Sequence, residues 1–232
     1  DSFSVIASGS KQWENRFENG CWTYSLDDIH GGIQACYKGL AENVKAQYGI
    51  YPETYGAMGI SAMMHGYMAF DKNDKLLVPF RTWRNTMTAQ AAGELTELLG
   101  FNIPQRWSIA HLYQAVLNKE AHVPYIAYIN TLAGYVHKRL TDRFEVGVGE
   151  ASGIFPVEGI GYKKEYLEPT EKSLAEKGFD HKLKDILPAV RNAGEKGAVL
   201  TEEGAKFLDP EGRLKAGVPV CPPEGDAGTG MV

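Results

Sequence analysis

The chain has 232 residues, 44% of them hydrophobic and 23% charged, with a formal net charge of −5. That length suits one large domain or two small ones with a substantial core, and the acidic balance gives no electrostatic reason to expect nucleic acid or an anionic membrane as partner. Cys21, Cys36 and Cys221 are odd in number and never in C-x-x-C spacing, so neither a disulfide framework nor a zinc site is expected.

A reducing cytoplasm is therefore the expected compartment. No apolar run approaches the roughly 20 residues of a membrane span, and the opening "DSFSVIASGS" has no basic region or long apolar core of a signal peptide. Both ends look cut, and the chain is expected to be a piece of a longer polypeptide.

A first strand is expected over "FSVIAS", residues 3–8. In "YSLDDIHGGIQACYKGLAENVKAQYG", Ser25 is the expected N-cap, with Asp28 three positions on as a capping box. Ile29, Ile33, Cys36, Leu40 and Val44 form a helical stripe that Gly49 closes. Three strand-like runs within residues 55–80 are expected to be neighbours in one sheet. Helices are then expected over "TAQAAGELTELLG", over "PQRWSIAHLYQAVLNKE" starting at Pro104, and over "HVPYIAYINTLAGYVHKRLTD" with Ile126, Ile129, Leu132, Val136 and Leu140 on one face.

Residues 146–159 are expected to be irregular, followed by helical pieces near 164–177 and 181–190. "LTEEGAKFL" predicts a short helix capped by Thr201, and "AGVPV", residues 216–220, a buried strand. Early hairpins, a helical middle and a late strand indicate an α/β protein with a mixed sheet and flanking helices.

Two places suggest chemistry. Met64-His65-Gly66 stands at a strand end, where a histidine can face a ligand while glycine lets the backbone bend; a solvent-exposed loop histidine accounts for the same letters. Asp226, in "EGDAGTG" just past the predicted strand 216–220, stands where ligands collect in open α/β sheets. A carboxylate there could accept a hydroxyl proton or hold a metal, and an ordinary surface turn uses the same residues.

Other stretches point to less. "GVGEASG" lacks the Lys-Ser/Thr ending of a phosphate loop. His111, His122 and His137 lack metalloprotease spacing, and Ser152 lacks the G-x-S-x-G setting of a hydrolase nucleophile. Trp83 and Arg84 could line a pocket or pack at a sheet end.

Four stretches in order resemble the FGGY family of carbohydrate kinases, most closely its xylulokinase-like branch: "GISAMMHGYMAFDKNDKLLVPFRTW", "TLAGYVHKRLTD", "EASGIFPV" and "GVPVCPPEGDAGTG". The resemblance implies an actin-like ATPase fold of two ribonuclease-H-like domains with sugar and nucleotide in the cleft between them. Residues 1–232 would be most of the N-terminal, sugar-binding domain, without its first strand and phosphate loop and without the C-terminal nucleotide domain. Asp226 then matches the catalytic general base, and Met64, His65 and Gly66 match the segment lining the sugar pocket, with Trp83 beside it.

The substrates implied are ATP, with Mg²⁺, and a ketose such as xylulose or a related polyol. No protein-held metal site is expected; a homodimer is an open expectation. The chain departs from the family at Ala227, where Asn usually follows the catalytic Asp, and at Asn85, where an acid is expected. These departures keep two other readings open, a divergent actin-like ATPase with an altered sugar pocket and a non-catalytic sugar-binding module. The isolated piece is expected not to turn over ATP.

Overall fold

The computed structural model describes residues 4–195 and 197–230. The first expected strand begins at Phe3, outside the described residues. Ser4–Ser8 form no strand; the chain meets the first helix beyond them, with Gly9 against the backbone of Cys36 and Leu40 and Trp13 against Gly32.

A short hairpin, β1 (Arg16–Glu18) with β2 (Cys21–Thr23), leads into α1 (Leu26–Tyr48). Ser25 caps α1 as its residue type predicts: its Oγ accepts from the Asp28 amide at 3.0 Å, and Asp27 and Asp28 complement the positive end of the helix dipole. Gly49 ends the helix with a left-handed φ of 77°. The deepest face is Ile29, Tyr37 and Ala41, whereas Ile33, Cys36, Leu40 and Val44 are half-buried.

Next come β3 (Ser61–Ala62) and β4 (Met68–Phe70). Contrary to the expectation from the sequence, they are not neighbours; β3 pairs with a strand from the far end of the chain. The third run, Leu76 to Phe80, meets β4 only through single bridges, Phe70 to Leu76 and Tyr67 to Arg81.

Helices α2 (Ala89–Leu99) and α3 (Ser108–Leu117) follow, the second starting four residues after Pro104. The single helix expected over 122–142 is broken. Pro124 lies in a 3₁₀ turn (Val123–Tyr125), and Tyr128–Asn130 forms β5, antiparallel to β4. Only then does α4 (Leu132–Thr141) begin, capped by Thr131, whose side chain accepts from Gly134 N.

The stretch expected to be irregular holds β6 (Glu145–Gly147) and α5 (Val148–Ala151). After α6 (Lys164–Glu176) and α7 (Leu183–Ile186), Pro188 halts the helix expected to reach residue 190. There β7 (Ala189–Arg191) pairs parallel with β6. The end of the chain carries β8 (Ala198–Val199), α8 (Glu202–Leu208), β9 (Pro219–Val220), β10 (Glu224–Gly225) and the single turn α9 (Asp226–Thr229).

Both pairing senses occur, giving the mixed α/β pattern. β8 with β9 is antiparallel, and β10 with β3 is parallel in the register Glu224 to Ser61 and Gly225 to Ala62. Residues 219–225 are the central ribbon. Met58 N donates to Pro219 O and Glu224 N to Ile60 O, while Gly147 N donates to Pro223 O, so the ends of β3, β10 and β6 meet.

β4 divides the interior by its two-residue alternation. Tyr67 and Ala69 pack with α2, α3 and Phe155; Met68 and Phe70 pack with Ile29 of α1, Tyr128 and Leu140. The strand ends are thus pinned from both faces.

Candidate active site

Three segments leave these adjoining strand ends: Met63–Gly66 from β3, α9 from β10, and α5 with Gly153 from β6. The Asp226 carboxylate is exposed at the start of α9. Its Oδ1 accepts from the amides of Met64 and Ala227, each at 3.0 Å. Both hydrogen bonds fall on the same oxygen, which fixes the carboxylate. Ser61 Oγ and Thr229 Oγ1, 2.5 Å apart, tie the turn to β3.

His65 holds a left-handed φ of 70°, uncommon for a non-glycine residue and a recurrent feature of functional sites. Its Nδ1 lies 3.4 Å from the Gly153 carbonyl. Burial lowers its pKa, and Arg106 adds to this; the Gly153 carbonyl and Asp226 oppose it. In the neutral ring, the nitrogen facing a carbonyl is the N–H, which leaves Nε2 as an acceptor for a hydroxyl. Gly66 is required at φ 112°, because a Cβ there would meet Phe80 Cε2 at 2.9 Å and the Arg81 carbonyl at 3.0 Å. Its carbonyl is held by the Ser108 hydroxyl at 2.6 Å.

Two further acids stand behind Asp226 that sequence reasoning did not single out. Glu150 of α5 is fully buried, and neither carboxyl oxygen has a hydrogen-bond partner. Burial pushes its pKa up to about 8, with Glu224 and Asp226 adding to the rise. The Thr131 hydroxyl pulls the other way but falls short of hydrogen-bonding geometry, so burial wins. Glu224 accepts from the Glu150 amide at 3.0 Å, yet burial still raises its pKa. The only sequence signal for Glu150 was an acid among glycines in "GVGEASG".

The structure brings Asp226, Met64, His65 and Gly66 together. Trp83 is 45% exposed beside them in sequence space only, with the Arg84 guanidinium 5.0 Å above its ring, and no contact joins it to Asp226. Asn85 is buried and committed to the backbone of Trp22 and Thr82, away from the candidate site. A cavity of about 570 Å³ lies between α4 and α8, lined in part by Lys138, Arg139 and Glu202, and is separate from this cluster. Among the described residues no group of three His, Cys, Asp or Glu is arranged to hold a metal ion, and no helix is long and apolar enough to cross a membrane.

The mixed α/β fold is shared with solved sugar-kinase structures. Residues 3–232 match the model of the FGGY family of carbohydrate kinases, N-terminal domain, and the chain belongs to that family. It is similar to a "xyloylose kinase" from Brucella ovis (18% identity, TM-score 0.73, covering 94% of this chain and 43% of that one). It is likewise similar to a gluconate kinase from Lactobacillus acidophilus (16%, 0.70, 93% and 42%) and to a glycerol kinase from Plasmodium falciparum (13%, 0.65, 92% and 42%). The chain thus spans less than half the length of these structures. No curated protein sequence matches it.

Proposed function

We propose that this chain is the sugar-binding domain of an ATP-dependent carbohydrate kinase, residues 1–232 forming one half of a cleft whose nucleotide half lies in a second domain. The observation that carries this reading is the exposed Asp226 carboxylate, oriented by two backbone amides beside the neutral His65. The structural neighbours named for xylulose, gluconate and glycerol phosphorylation support an alcohol acceptor, with a ketose such as xylulose or a related polyol as the first candidate.

Phosphoryl transfer asks the protein mainly for positioning and charge stabilisation. Asp226 accepts the proton of one sugar hydroxyl as that oxygen forms a bond to the terminal phosphorus of ATP; the bond to the bridging oxygen breaks and ADP leaves. His65 Nε2 accepts a hydrogen bond from a second hydroxyl. Met64 fixes Asp226 through its amide, and Gly66 lets the segment turn closely past Phe80 and Arg81. Closure of the two domains excludes water as a competing acceptor. ATP carries Mg²⁺ as its charge-neutralising companion; among the described residues no group of three His, Cys, Asp or Glu is arranged to hold the ion. A cytoplasmic location goes with this reading.

The test is sugar-stimulated ADP release by the complete polypeptide, over a panel of xylulose, ribulose, gluconate, glycerol and erythritol. Stimulation by one member supports the kinase and names its substrate. ATP hydrolysis indifferent to all of them supports the divergent ATPase, for which Ala227 in place of the family's Asn is the favouring observation.

His65→Asn keeps a side chain that tolerates the left-handed backbone but withdraws the ring acceptor. The expected result is a KM for sugar raised about tenfold, the scale of one hydrogen bond, with kcat changed less. Equal KM in both proteins would remove His65 from the pocket.

A further inference from the structure

Glu150 has no role in the proton transfer just described, and its environment is unusual. It is fully buried, both carboxyl oxygens are unpartnered, and it sits directly behind the turn that presents Asp226. The contact point is Gly225. A Cβ built there would lie 2.0 Å from Met64 Cγ and 2.9 Å from Glu150 Oε2, so the Met64 side chain and the Glu150 carboxyl press on the same backbone atom. The Glu150 main chain also borders His65: a Cβ on Gly153 would meet His65 Nδ1 at 2.6 Å and the Glu150 carbonyl at 3.4 Å. Glu150 thus meets the Asp226 turn through its carboxyl and reaches His65 through Gly153, whose amide donates to the Glu150 carbonyl and whose own carbonyl faces His65 Nδ1.

The charges facing Glu150 are of its own sign or neutral. Asp226 on α9 and Glu224 on β10 are acids, the buried Tyr162 hydroxyl is held protonated by burial and by Glu150, and His65 is neutral for the reason given above. Among the described residues no cation pairs with the carboxyl to balance an ionised form. An isolated carboxylate in such a place carries a large desolvation cost and gives it up by protonating or by moving toward water.

We propose that Glu150 is a positioning residue for Asp226: its neutral carboxyl, packed behind the Gly225–Asp226 turn, holds that turn against Met64 and His65, and its ionisation loosens the turn. The inference deepens the kinase reading, and its geometric part stands without it. The sign follows from linkage. The ordinary value for Glu150 is 4.5, and in the fold burial raises it to about 8. Between those values the folded chain holds a proton that the unfolded chain has released, so this group's contribution to stability is complete below about 4.5, falls as pH rises across the interval and is fully lost above about 8.

The experiment uses the full chain and two readouts that need no turnover. Carboxyl carbon NMR follows Glu150 from about pH 5 to about pH 9.5, and hydrogen exchange follows the protection factor of the Met64 amide, which reports its bond to Asp226. The expected result is a Glu150 midpoint near 8, with Met64 protection falling at least about tenfold through that midpoint. In Glu150→Gln, a neutral isostere, Met64 protection stays level, and in Asp226→Asn the Glu150 midpoint moves to lower pH.

A Glu150 midpoint below about 6, or the same alkaline loss of protection in Glu150→Gln, overturns the proposal. If a substrate is identified, the alkaline limb of kcat should also vanish in Glu150→Gln, and a limb that persists counts against the proposal. A sugar panel that is silent throughout, with the NMR and exchange results as expected, sinks the kinase reading and leaves the buried-acid device standing.

Discussion

Asp226→Asn in the complete polypeptide is expected to cut sugar-dependent turnover by about 10²-fold or more, the scale of a lost general base, while KM for sugar changes little. The separation of the two constants follows from the geometry. Both hydrogen bonds that orient Asp226 arrive at Oδ1, from Met64 and Ala227. An asparagine can keep its carbonyl oxygen there and place its amide nitrogen at the Oδ2 position, so the turn and the neighbouring His65 stay where they are. Only the capacity to take a proton is removed. A loss confined to the transition state lowers kcat and kcat/KM together, whereas a loss of ground-state binding would raise KM alone. Steady-state kinetics on both proteins decide the matter; unimpaired turnover by the variant sinks the assignment of Asp226 as base.

What the sequence disclosed, and what it withheld, divides along a physical line. Helices with explicit caps were legible: Ser25 with Asp28 and Gly49 bound α1, and Thr201 starts α8, because capping is a contact within a few residues. The Met64-His65-Gly66 segment and Asp226 were legible as motifs, although only the structure shows that Met64 donates its amide to Asp226 across 162 positions of chain. β3 and β9 fall inside expected strand runs, but β8 and β10 were beyond reading, since two residues carry no periodicity. The break of the expected helix at Tyr128–Asn130 was likewise decided elsewhere, by antiparallel pairing with β4. Glu150 was missed for the same reason: nothing local reveals that a glutamate between Gly149 and Ala151 ends up fully buried against Gly225.

Asn85 is the position where the family resemblance and the structure pull in different directions, and it supports a second large effect. The resemblance expects an acid there, in a stretch that would shape the sugar pocket. In the fold Asn85 is 3% exposed, and its amide serves as a clamp. Nδ2 donates to the carbonyls of Trp22 and Thr82 at 2.8 and 2.9 Å, and Oδ1 accepts from the Trp22 amide at 2.9 Å.

Asn85→Asp keeps the size and the acceptor but turns the double donor into an oxygen facing two carbonyls. Two hydrogen bonds are lost and a desolvated carboxylate oxygen is set against the Trp22 and Thr82 carbonyls, which keep Thr82 N and Oγ1 and Asn85 N as their other donors, a destabilisation of about 3 kcal/mol or more. For a domain of this length that corresponds to a Tm lower by about 6–12 °C. The introduced carboxyl, desolvated and facing carbonyl oxygens, titrates above its unfolded value of about 3.9. The deficit is therefore greatest above the folded-state value and shrinks as pH falls toward about 4, where the protonated acid can again donate one bond. Thermal unfolding of both proteins at neutral and acidic pH measures the deficit and its direction. An Asn85→Asp protein as stable as its parent at neutral pH, and with tighter sugar binding, would instead return this position to the pocket and make the clamp between β2 and Thr82 dispensable.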